Sequence, residues 1–118
     1  MSVFEEYLQK LEQSLPHISA DELKQWQEDQ LDFVLVDVRQ AEEFAKGYIP
    51  GATNIPRPNL EASIETLLAN PKQVIIVHCG NRGRSQLVCH SLRDMGLDCS
   101  VLLGGYQAWV ELETDAAA

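Results

Sequence analysis

Three short apolar runs, residues 33–38, 74–77 and 99–103, interrupt a chain otherwise patterned at helical spacing. None of the three alternates, which is the mark of strands buried on both faces of a sheet. Ahead of them, Phe4, Tyr7, Leu8, Leu11 and Leu15 share one face of a helix predicted over residues 2–15, with Ser2 and Glu5 at capping-box spacing. Pro16 ends that helix, and residues 17–18 are long enough only for an edge strand. Ser19 and Glu22 form a second capping box, and Ile18 and Leu23 are placed as its hydrophobic staple. The short helix that follows puts Leu23 and Trp26 on one face. Residues 40–46 predict another helix with Gly47 as its C′ residue, and residues 47–56 a turn-rich connector with one short strand. Leu60, Ile64, Leu67 and Leu68 mark a third helix, stopped by Asn70 and Pro71. Val88, Leu92 and Met95 give the face of a helix closed by Gly96. Residues 106–112 predict a last helix carrying Trp109, and a frayed tail follows.

Strands alternating with helices imply an α/β fold, a parallel sheet covered on both faces. In 118 residues there is room for one such domain. The expected division is an N-terminal amphipathic helix at 1–15, the domain proper at 16–113 and a short tail at 114–118. Ligands of such sheets sit at the carboxyl ends of strands. Asp37, Cys79 and Gly104 all fall at strand ends, so three segments converge on one edge.

Charge narrows the choice of partner. The net charge is −9, and residues 1–72 hold six basic against thirteen acidic groups. Residues 73–105 run the other way, with Arg82, Arg84 and Arg93 against Asp94 and Asp98. An acidic shell around a locally basic loop disfavours nucleic acid and suits a small anion. No apolar run is long enough to span a bilayer, so no membrane partner is expected. Residues 1–6 lack the basic and apolar regions of a signal peptide, and the expected location is cytoplasmic.

The chemistry concentrates in residues 74–85, where a buried strand runs into a loop holding a thiol, two glycines and two arginines before a helix begins. Helix N-termini and nearby cations favour the thiolate form of a cysteine. Gly80 and Gly83 allow unusual dihedrals that turn the N–H groups of residues 80–84 inward, making a cradle for an anionic sulfur with Cys79 at its base. Cys89 lies within a predicted helix and Cys99 opens an apolar strand; both read as structural. With three cysteines and no Cys-x-x-Cys spacing, neither a disulfide scaffold nor a metal site is expected. A phosphate-binding cysteine enzyme is a rival. Protein tyrosine phosphatases place five residues between cysteine and arginine, whereas four separate Cys79 from Arg84. The tighter loop suits a bound sulfur better than a tetrahedral phosphate.

Four motifs in order resemble the rhodanese homology domain in its single-domain form, over about residues 17–112. They are Asp37-Val38-Arg39 with Glu43-Phe44, the connector at 47–56, the loop from Cys79 to Arg84-Ser85, and residues 103–109, which include Gly104-Gly105-Tyr106 and Trp109. The resemblance implies a rhodanese-like five-stranded parallel sheet with helices on both faces, beside the extra N-terminal helix. It implies a sulfurtransferase in which Cys79 carries a covalent persulfide and no separate cofactor is needed. A small anionic sulfur donor such as thiosulfate would load it, and cyanide or a thiol, protein thiols included, would unload it. The alternative is a persulfide-carrying or regulatory module serving a protein partner, with little free turnover. Gly80, Asn81, Arg82, Gly83, Arg84 and Ser85 would bind the sulfur and its donor, and Asp37 and Arg39 would brace the loop edge, with Glu43 joining their ion pair. Arg82 stands where many family loops hold glycine, and Tyr48 where histidine is frequent.

Overall fold

The computed structural model describes residues 1–80 and 83–117. Asn81, Arg82 and Ala118 lie outside the described residues. Five parallel strands, β1 (His17–Ile18), β2 (Phe33–Asp37), β3 (Thr53–Asn54), β4 (Val74–His78) and β5 (Cys99–Leu102), form one sheet in the order β1-β5-β4-β2-β3. β4 and β2 lie at the centre and pair from Phe33 opposite Val74 to Asp37 opposite His78. The short strands β1 and β3 close the edges.

Period-two geometry divides the strand residues between two cores. Val36, Ile75, Val77, Cys99 and Val101 face one side with Leu60, Ile64, and with Val88, Cys89 and Leu92 of helix α5 (Arg84–Asp94). Leu35, Ile76 and Leu102 face the other with Leu23 of α2 (Ala20–Glu28) and Trp109 of α6 (Gly105–Ala117). Ile18 joins Leu23 in this second core, and the Ser19–Glu22 capping box forms in both directions at 3.1 Å.

Helix α1 (Val3–Ser14) is no appendage, because Leu8, Leu11 and Leu15 belong to the first core. Each such burial contributes about 1.5–3 kcal/mol. Ser2 caps α1 by accepting from the Glu5 N–H at 3.0 Å.

Several expected elements differ in detail. The third helix is broken into a 3-10 turn (Arg57–Asn59), one α-turn labelled α4 (Leu60–Ser63) and a second 3-10 turn (Ile64–Leu67). Within it the Thr66 hydroxyl donates to the Ser63 carbonyl at 2.6 Å, and such local bonds compete with the helical ladder. The tail is helical rather than frayed, since α6 runs to Ala117. Alanine favours helix, and Glu113 ties this turn to Lys24 at 3.4 Å. Met95 is exposed rather than part of the core face of α5. Gly47 follows α3 (Ala41–Lys46) in extended backbone, φ 161°, and not in a left-handed C′ conformation. What requires glycine there is space, because a Cβ would collide with the Tyr106 hydroxyl.

Candidate active site

Cys79 follows the last residue of β4, fully buried, with its Sγ 3.3 Å from the Ser85 hydroxyl at the start of α5. Two opposing pieces of structure hold the loop between them. On one side, the first amides of α6 donate to the loop, Tyr106 N–H to the Cys79 carbonyl at 2.8 Å and Gln107 N–H to the Gly80 carbonyl at 3.0 Å. Four N–H groups at a helix start lack intrahelical partners, so α6 has donors to spare. In a trans peptide the N–H points opposite the carbonyl, which directs the Gly80 N–H away from α6. This approach needs glycine at 105, where a Cβ would lie 2.5 Å from the Cys79 carbonyl oxygen.

On the other side, Gly83 takes φ 106° and ψ −80°, a conformation reserved for glycine. Gly80, expected to share that freedom, does not take a left-handed φ. The Gly83 N–H does not turn into a cradle as expected. It donates to the side-chain carbonyl of Gln86, which is buried.

Arg84 is not free in this conformation. Its guanidinium meets Glu43 of α3, Nη1 to Oε1 at 2.9 Å and Nη2 to Oε2 at 3.4 Å. The bond from Arg84 holds the Glu43 carboxyl below the usual carboxylate range, and Glu43 in turn raises the Arg84 pKa. Glu43 therefore pairs with the loop arginine and not, as expected, with the Asp37–Arg39 pair.

Asp37 and Arg39 complete each other at the end of β2. Arg39 donates from Nε and Nη2 to the Asp37 carboxylate at 2.8–3.0 Å, and its backbone N–H donates to Oδ1 at 2.9 Å. Nη2 also reaches the Gly47 carbonyl at 2.7 Å, and the guanidinium stacks on the Tyr106 ring, 4.2 Å from its centre. Tyr106 thus links this pair to the loop, since its own N–H holds Cys79.

Beside the pair lies His78, fully buried, with Nε2 3.9 Å from Asp37 Oδ2; among the described residues this Nε2 has no hydrogen-bond partner. Burial lowers the His78 pKa, and the opposing attraction of Asp37 is the smaller effect. A neutral imidazole makes the contact a polar neighbour rather than an ion pair.

Cys89 and Cys99 are buried and unbridged, as expected of structural thiols. The Cys89 thiol donates to the Cys99 carbonyl at 3.3 Å, and Cys89 together with burial pushes the Cys99 pKa up. Among the described residues no cluster of His, Cys, Asp and Glu could hold a metal ion, and no helix is long and apolar enough to cross a membrane.

The loop is therefore built around a buried thiol at a strand end, framed by one helix start on each side. The family model for the Rhodanese-like domain matches residues 19–112. The chain belongs to that family. Among curated relatives of this rhodanese-like chain is the thiosulfate sulfurtransferase GlpE of Shewanella oneidensis, 32% identical over 99 residues, covering 83% of this chain and 95% of the relative. Another is the putative sulfur carrier protein YrkF of Bacillus subtilis, 32% identical over 83 residues, of which the match covers 44% and of this chain 70%. The solved structure of a thiosulfate sulfurtransferase from Pseudomonas aeruginosa superposes with a TM-score of 0.85 at 26% identity, over 93% of this chain and 21% of that one. The rhodanese fold is thus the fold of this chain, with α1 outside the span of the family model.

Two contributors to the rhodanese loop escaped the sequence. Gln86 stands three residues after Gly83, the spacing of a capping-box glutamine, and that signal was available. Glu12, which binds Gln86 at 3.1 Å, is 74 residues away and carries no local signal.

Proposed function

We propose that the chain transfers sulfane sulfur through a persulfide on Cys79. The observation that carries this reading is the setting of the thiol: buried at the carboxyl end of β4, 3.3 Å from the Ser85 hydroxyl, with the neighbouring carbonyls of Cys79 and Gly80 already occupied by α6. Those two carbonyls therefore face α6 and do not oppose an anion at the thiol. In the loading step the Cys79 thiolate attacks the outer sulfur of thiosulfate. The S–S bond of the donor breaks, sulfite leaves with the bonding pair, and Cys79 holds one additional sulfur bearing the negative charge. Cyanide or a thiolate then attacks that outer sulfur, takes it as thiocyanate or a persulfide, and returns the Cys79 thiolate. Gly80, Asn81, Arg82, Gly83, Arg84 and Ser85 frame donor and persulfide, with Arg84 drawn from Glu43 to the anionic donor.

Mass analysis of the intact protein after thiosulfate treatment tests the loading step. A gain of one sulfur atom that disappears in Cys79→Ala is expected; no gain in the wild-type chain overturns the reading. A second reading, a carrier that hands its sulfur to one protein, is favoured by the complete burial of Cys79 and by the engagement of Arg84 with Glu43. Stoichiometric loading with negligible thiocyanate production from cyanide would select it.

A further inference from the structure

Helix α1 lies outside the residues that the family model matches, yet it reaches the loop by two routes. The Leu8 side chain stands 3.9 Å from where a Cβ of Gly83 would be. Glu12 accepts a hydrogen bond from Gln86 Nε2 at 3.1 Å, and Gln86 Oε1 accepts one from the Gly83 N–H. We propose that α1 is a working part of the site, in which Glu12 orients the Gln86 carboxamide and the carboxamide sets the back half of the loop through Gly83. Glu12 and Gln86 are positioning residues under this proposal, which bears on the sulfur-transfer reading only through the Cys79 loop they share.

The two ends of a carboxamide differ by a single flip. A carboxylate accepts hydrogen bonds and donates none, so Glu12 draws the Gln86 NH2 toward itself and leaves the oxygen facing Gly83. The reverse orientation would set NH2 against N–H at one end and oxygen against carboxylate at the other. In a buried side chain neither mismatch is repaired by water. Gly83 needs such a hold. Glycine is the residue with the widest backbone freedom, and it occupies φ 106° where the loop turns into α5. Arg84 follows it directly, and Ser85, whose hydroxyl meets Cys79, is the next residue. Rotation at Gly83 would shift both.

Exchange of the Gly83 backbone amide, followed by NMR on the full chain, reads the relay directly. Glu12 sits half-buried on a helix face, so Glu12→Ala should fold. It is expected to speed Gly83 exchange by about tenfold, the loss of one hydrogen bond of ordinary strength, and to change the rate of Cys79 alkylation by iodoacetamide several-fold. Gln86→Glu sets two carboxylates face to face and should do the same or worse. The paired exchange Glu12→Gln with Gln86→Glu rebuilds both bonds, reversed between 12 and 86 and unchanged in direction at the Gly83 N–H, and should restore Gly83 protection to within about twofold. Unchanged Gly83 exchange in Glu12→Ala overturns the proposal, as does a paired exchange no better protected than Gln86→Glu alone. Neither readout requires sulfur loading, so a chain that takes up no sulfur from thiosulfate still decides the matter.

Discussion

Arg39 meets Asp37 at 2.8 Å with side chains 5% and 0% exposed, whereas Arg84 meets Glu43 at 2.9 Å with side chains 38% and 42% exposed. The lengths are nearly equal, and the settings make the two pairs different devices. Arg39 is enclosed by Asp37, the Gly47 carbonyl and the Tyr106 ring. A partner lost there leaves a buried charge unpaired. Arg84 is partly open to solvent at the start of α5, where its partner is exchangeable at small cost. A buried pair of this kind holds shape, and an exposed one can pass its cation to an incoming anion.

The largest effect should come from breaking the inner pair. Asp37→Ala leaves the Arg39 charge buried and uncompensated, and should destabilise the chain by about 3–5 kcal/mol in denaturant unfolding. A loss under about 1 kcal/mol would erase the contrast between the pairs. Next, Arg84→Ala should change stability by less than about 1 kcal/mol but lower kcat/KM for thiosulfate by about 10- to 100-fold, the range of one charge-assisted bond. Equal damage to folding and to activity would make the outer pair structural as well. Glu43→Gln should act in the opposite sense: with its partner neutral, Arg84 is freer, and KM for thiosulfate should fall about two- to fivefold at unchanged kcat. A rise in KM would mean that Glu43 positions Arg84 rather than competing for it.

The smallest effect is a pH dependence of the inner pair's surroundings. His78 is buried beside Asp37 with its pKa lowered by desolvation. Below the ordinary histidine value of about 6.5, the unfolded chain takes up a proton here while the folded chain stays neutral until a lower pH. The unfolded state then binds more protons, so stability falls as pH falls through that window. Wild-type Tm should therefore drop between about pH 7.5 and about pH 5.5, and drop less in His78→Gln, which has no proton to gain there. Parallel curves would exclude His78 as the source.

Sequence patterns reached the strands and the location of Cys79 because each depends on neighbours: unbroken apolar runs, a glycine-rich turn, a helix start. Only the family resemblance, and no local pattern, suggested Asp37 and Arg39 as braces; what the structure shows is the two paired at the end of β2. The partners of the loop were out of reach for a different reason. Glu43 to Arg84 spans 41 positions and Glu12 to Gln86 spans 74, and both join surface-type residues whose local patterns describe solvated helix faces. Gly47 was legible as a required glycine but for the wrong cause. Its φ is one that any residue adopts, and only the packed structure reveals the hydroxyl above it. Asn81 and Arg82, expected to bind the sulfur donor, lie outside the described residues.

Gly47 and Gly105 look alike in a sequence and should behave differently in a lineage. At 105 an added carbon meets the backbone of Cys79 and Gly80, and no neighbouring substitution removes backbone. At 47 it meets the Tyr106 hydroxyl, with the ring carbon behind it at 3.4 Å. A chain that first exchanged Tyr106 for phenylalanine would then accept alanine at 47, while the reverse order would pass through a damaged intermediate. One position is closed on every evolutionary path, and the other opens or closes with the history of its neighbour.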